Sequence, residues 1–105
     1  MIHNIEGNQL TNEILKNSKL VLVEFCINDS NPCQMQHEVL QKLEHHFSEK
    51  ADIFRINIDE SPEIKIIYHI TSFPTILVFS NQKEVERIVG YIKIEELINI
   101  INELI

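Results

Sequence analysis

The sequence predicts an α/β fold, a mixed β-sheet with helices on both faces, and three observations predict it. Stretches of strand character alternate with stretches of helical period, one almost continuous apolar run lies in the first third of the chain, and two β-rich runs precede a last amphipathic segment. Strands separated by helices call for right-handed crossovers and a parallel sheet core. The two late β-rich runs add antiparallel edges. The expected order is β-α-β-α-β-α-β-β-α, within one domain over residues 1–105.

Taken in order, "IHNI" is a strand candidate and "NQLTNEILKN" a helix candidate. "KLVLVEFCI", Lys19 to Ile27, is the apolar run; rich in valine and leucine, it suits a central strand buried on both faces. In "NPCQMQHEVLQKLEHHFSEK" the side chains of Met35, Val39, Leu43 and Phe47 recur every four residues and Leu40 widens the stripe, which predicts an amphipathic helix. Asn31 is its expected cap, Pro32 its first residue and Gln34 the reciprocal half of a capping box. "DIFRINID" alternates as a strand does, and "SPEIKIIYHI" opens with Ser61 as cap and Pro62 as first helical residue. "TILVFS" and "EVERIVGY", parted by "NQK", read as a hairpin without the usual Asn-Gly or Asp-Gly. From Lys93 on, Leu97, Ile98, Ile101, Leu104 and Ile105 share one helical face.

Composition narrows the function. Apolar residues make up 44% of the 105 residues, with two glycines and three prolines, so a packed core is expected. A formal charge of −7 without any basic cluster disfavours nucleic acid and anionic membrane as partners, because both are bound largely through grouped lysine and arginine. No stretch has the character of a signal peptide or of a membrane span, so the cytoplasm is the expected location and no membrane partner is expected. Two cysteines, Cys26 and Cys33, are too few for a disulfide-stapled scaffold. His37, His45 and His46 do not complete a set of metal ligands with them and read as surface histidines; neither a metal nor a phosphate-binding cofactor is expected.

Four stretches carry a resemblance to a known family, and together they cover nearly the whole chain. "VLVEFCINDSNPCQM" resembles the thioredoxin segment in which an apolar strand runs into Trp-Cys-Gly-Pro-Cys and a helix. "FRINIDESPEI" is similar to that family's next strand and turn, "SFPTILVF" to its cis-proline segment and "IVGY" to the glycine after its last strand. The resemblance implies the thioredoxin fold and disulfide oxidoreductase chemistry, with electron transport and cell redox homeostasis as its context. The implied partners are protein or small-molecule thiols and disulfides and a thioredoxin-reductase-like reductant, with the chain acting as a monomer and without a cofactor.

Three positions depart from the family: Ser30 stands where the attacking cysteine belongs, Asp29 where a tryptophan usually precedes it, and Cys26 where another tryptophan is common. A serine hydroxyl forms no disulfide and has no accessible anion without an adjacent base, so the ordinary dithiol cycle between positions 30 and 33 is closed. Cys33 remains in the first turn of the helix, where the dipole favours a thiolate and any nearby charge on Glu24 or Asp29 opposes it. It reads either as the single, monothiol-type reacting sulfur or as an inert buried thiol. Cys26 reads as a buried small hydrophobe or as a second thiol able to pair with Cys33, provided that the α-carbons come within about 7 Å.

The resemblance also assigns Glu24 to the family's buried carboxylate, a proton acceptor for the second cysteine. Arg55, in the adjacent strand, offers the opposing possibility of a salt-bridged, purely structural carboxylate. Asn31, Pro32, Phe73, Pro74 and Gly90 fall where the family holds an extended substrate, with Pro74 readable also as a structural turn. Two functions follow: thiol–disulfide exchange through Cys33 alone, or a non-catalytic module that binds an extended peptide in the cis-proline groove. A third reading takes Ser30 as introduced in place of a cysteine or selenocysteine, an engineered form of an active relative.

Overall fold

The computed structural model describes residues 2–105 of the chain. Five strands form one sheet: β1 (Ile2–Asn4), β2 (Leu20–Cys26), β3 (Ala51–Asn57), β4 (Thr75–Ser80) and β5 (Lys83–Val89), in the spatial order β1-β3-β2-β4-β5. β1, β3 and β2 run parallel, while β4 and β5 are antiparallel to their neighbours. The mixed sheet is therefore the expected one, and β2 lies at its centre. All seven residues of β2 are buried, as a strand covered on both faces requires.

Alternation along β2 sorts its side chains between two cores. Val21, Val23 and Phe25 pack with Leu10 and Ile14 of α1 (Leu10–Lys16) and Ile64 of α3 (Glu63–Ile67). Leu20 and Leu22 pack with Val39, Leu40 and Leu43 of α2 (Asn31–Phe47) and with Leu97 and Ile101 of α4 (Ile94–Leu104). Glu24 and Cys26 continue this second row toward the start of α2. No helix among the described residues is long and apolar enough to cross a membrane.

The structure corrects several local expectations. α2 starts one residue earlier than read: Ser30 is the N-cap and Pro32 follows Asn31 as the second helical residue, so Gln34 closes no capping box. Met35 is half exposed, whereas Cys33, Gln36, Leu40, Leu43 and Phe47 are buried. Steps of four drift by about 40° each on a helix of 3.6 residues per turn, so only alternating steps of three and four stay on one face. Ile105 likewise lies beyond α4 and is exposed.

Ser61 does not cap α3; its hydroxyl accepts the Gly7 N–H at 3.0 Å, and Pro62 takes the cap position. A Cβ at Gly7 would collide with the Ile64 side chain, so glycine is what lets that backbone reach Ser61. The β4–β5 turn is only two residues, Asn81 and Gln82, both with positive φ (51° and 70°), and Lys83 already belongs to β5. That is the backbone of a two-residue hairpin turn, reached here without glycine.

Candidate functional site

The start of α2 is built by its cap and by the loop before it. Ser30 is extended, and its Oγ accepts the Cys33 N–H at 3.2 Å, satisfying one of the donors that a helix start leaves free. Asp29 has φ +56°, a left-handed conformation that aspartate tolerates better than most residues. Asp59 Oδ2 accepts the Asn28 N–H at 2.7 Å, and Asn57 Nδ2 donates to Asn28 Oδ1 at 2.8 Å. The loop is thus tied to the end of β3. Asn57 and Asp59, both within "FRINIDESPEI", are supports of the loop that no local pattern in the sequence marks.

Both cysteines are free thiols, Cys33 with 1% and Cys26 with 2% of its surface exposed. They line an open cavity of about 730 Å³ together with Ser30, His37, Arg55 and Asn57. Cys26 Sγ donates to the Ile56 carbonyl at 3.6 Å. Burial pushes its thiol up to about 11, against a smaller downward pull from the Arg55 guanidinium; the Glu24 carboxyl and the Cys33 thiol add to the rise. Such a sulfur is almost wholly protonated near neutral pH and is a poor nucleophile there.

Glu24 has no exposed surface. The parallel register sets it beside Arg55, whose Nε lies 3.4 Å from Oε1, and His37 Nδ1 approaches the same oxygen at 3.2 Å. The expected Glu24–Arg55 pair exists, yet it does not decide the carboxyl's state: burial raises the Glu24 pKa from its ordinary value, and Arg55 and His37 offset it only in part. The geometry explains why. Glu24 Oε2 and Arg55 Nε both lack a hydrogen-bond partner, so the pair is a single misaligned contact and not a bidentate fork. His37 corrects the reading as a surface histidine: its side chain is 22% exposed and faces the buried carboxyl. The signal in the sequence was its position four residues after Cys33, on the same helical face.

Of the remaining candidates, Pro32 lies between Asn31 and Cys33 in α2, while Phe73 and Pro74 precede β4 and Gly90 follows β5. The Phe73–Pro74 peptide bond is cis, and Pro74 is buried just before β4, next to the end of β2, where Phe25 pairs with Thr75. Pro74 O accepts the Gly90 N–H at 2.8 Å, with Gly90 at φ +86°. Phe73, Pro74, Gly90 and Pro32 do not line the cavity that holds the two sulfurs; Asn31 does.

Gln36 escaped the sequence reading. It is fully buried, donating through Nε2 to the Ile92 carbonyl at 3.1 Å and accepting the Ile92 N–H on Oε1 at 2.8 Å. This two-point clamp fastens the first turns of α2 to the segment after Gly90. A glutamine exchanged between an exposed and a buried helical position looks the same in the sequence, which is why it was passed over.

The family model described as Thioredoxin matches residues 1–103. A thioredoxin of Rickettsia bellii is 32% identical over 102 residues, covering 97% of this chain and 97% of the relative. A thioredoxin of Mycoplasma genitalium is 32% identical over 97% of this chain and 99% of its own length. One from Chlorobaculum thiosulfatiphilum reaches 40% over 78 residues, 74% of this chain and 72% of its own.

Proposed function

The chain belongs to the thioredoxin family, and we propose that it serves thiol–disulfide exchange and cell redox homeostasis by a one-sulfur reaction at Cys33. The observation that carries this reading is that Cys33 lines an open cavity in the first turn of α2, next to the position of the family nucleophile, Ser30. In the first step the Cys33 sulfur, having lost its proton, forms a bond to one sulfur of a substrate disulfide; the other sulfur leaves and is protonated. In the second step a thiol from solution or from a reductase-like partner gives up its proton and attacks the substrate sulfur of the mixed disulfide, forming a disulfide with it, while Cys33 leaves as a thiolate and takes up a proton.

Glu24 is the acceptor for the Cys33 proton, consistent with its raised pKa. Asn31, Pro32, Phe73, Pro74 and Gly90 hold the substrate strand. Ser30 acts as a helix cap and not as an attacking group, because its hydroxyl accepts the Cys33 N–H. Cys26, with its sulfur buried and its thiol pushed up to about 11, serves the core and is not the second thiol of a cycle. The protein works as a monomer in the reducing environment of the cytoplasm.

The test is incubation with glutathione disulfide, with the two cysteine-bearing peptides read separately by mass spectrometry. A glutathione adduct on Cys33, absent in Cys33→Ala and kept in Cys26→Ala, is the expected result; labelling of Cys26 alone would overturn the assignment. Ser30→Cys should in addition confer ordinary disulfide reductase turnover on insulin.

One observation favours a second reading. Cys33 is 1% exposed, which suits a module that grips an extended peptide without turning it over. On that reading, peptide binding survives Cys33→Ala and no adduct forms.

A further inference from the structure

Glu24 is wholly buried, and its Oε2 has no hydrogen-bond partner. A carboxyl so placed exchanges protons with water through a neighbour that meets both it and solvent. The groups that face it are Arg55 on β3 and His37 on α2, with Cys26 two residues further along β2 and Ile76 as its neighbour on β4; Cys33 lines the same cavity as His37 and Arg55. The exposed Asp29 and Glu60 line the cavity onto which His37 and Arg55 open. Arginine does not release its proton, and the two sulfurs are buried. His37 alone combines partial exposure, contact with the carboxyl at 3.2 Å, and two ring nitrogens that can take up a proton on one side and give one on the other.

We propose that His37 is the proton relay of this site, carrying to solvent the proton that Cys33 gives up to Glu24. The inference rests on the one-sulfur reaction at Cys33. The resting carboxylate accepts the His37 Nδ1–H. The Cys33 proton passes to the carboxylate, and the ring exchanges through solvent to its Nε2–H tautomer. The carboxyl then gives its proton to the bare Nδ1 while the Nε2–H goes to water, which restores the resting tautomer. One proton leaves for each Cys33–S bond formed, and the departing thiolate takes one up in solvent, so the exchange is balanced with the substrate disulfide as its only oxidant. His37 does not touch the reacting sulfurs; it acts through Glu24 as a positioning residue.

His37→Gln separates the relay from a structural role, since the amide still donates a hydrogen bond to Glu24 but does not pass a proton through. The measurement is the rate of Cys33 adduct formation with glutathione disulfide against pH, in the full chain, with and without added imidazole. The relay predicts a fall of about tenfold or more near neutral pH, within the range of acid–base contributions, with recovery on addition of imidazole and an unchanged Tm. A variant that matches the native rate across the pH range, or one that is slower and not rescued, overturns the relay while leaving the one-sulfur reaction standing. A native protein that forms no Cys33 adduct at any pH overturns both. Nitrogen-15 shifts of the native ring give a check that needs no variant: the Nδ1–H tautomer is expected at rest, and a ring with Nδ1 permanently bare overturns the relay.

Discussion

The two faces of β2 begin alike and end differently. On the α1 and α3 side, Val21, Val23 and Phe25 are apolar to the end of the strand. On the α2 side, Leu20 and Leu22 give way to Glu24 and Cys26 just where α2 begins. Burial costs this carboxyl more than its imperfect ion pair returns, and an apolar side chain of similar volume would serve packing at least as well. Stability accounts for the apolar face and does not account for the polar end of the other, which is where the proposed proton chemistry would place its acceptor.

Substitutions can break or sharpen that contrast. The largest loss is expected on the apolar face: Phe25→Ala should cost about 3–5 kcal/mol through lost burial and the cavity left behind, read by denaturant unfolding, with Cys33 reactivity in the folded fraction unchanged. Next is the polar clamp above the other face. Gln36→Leu leaves the Ile92 N–H and carbonyl without their partners, and about 2 kcal/mol should be lost, again by denaturant unfolding. Ser30→Ala removes the cap at the mouth of the site and should lower stability by about 1 kcal/mol, a shift of the thermal midpoint of a few degrees.

The smallest effect is expected for Glu24→Gln at the acid end, and it grows with pH. A carboxyl whose folded pKa is raised binds its proton more tightly in the folded state. Its stabilising contribution is complete below the ordinary value of 4.5 and is lost as pH rises through the higher folded pKa. Relative to the native chain, Glu24→Gln should therefore become progressively more stable as the pH is raised above about 4.5. A stability difference that is flat with pH would mean that Arg55 and His37 compensate the buried charge in full, and the two faces of β2 would then differ in composition only.

Much of the fold is legible because it depends on period and order. β2 announces itself as seven buried residues in a row, and the hairpin and α4 follow from alternation and helical spacing. Candidate site positions can be named where a residue type is itself informative: Ser30, Cys33, Pro74, Gly90. Met35 was misplaced because a stripe of fours imitates a helical face over two turns and then drifts off it. Ser61 was misplaced because a serine before proline is a valid cap, and only the approach of Gly7 from 54 residues away redirected its hydroxyl.

By itself the sequence determined the α/β order, the central place of β2 and the exclusion of a disulfide between positions 30 and 33, since these depend on local pattern and on which atoms are present. Only the tertiary structure decided the direction in which the Glu24 pKa moves and the contact of His37 with its carboxyl, because both depend on how deeply one carboxyl is buried and on which of its neighbours aligns with it. Arg55 is adjacent in register and 3.4 Å away, yet burial outweighs it. Desolvation and hydrogen-bond angle are properties of packed side chains, and no spacing in the chain encodes either.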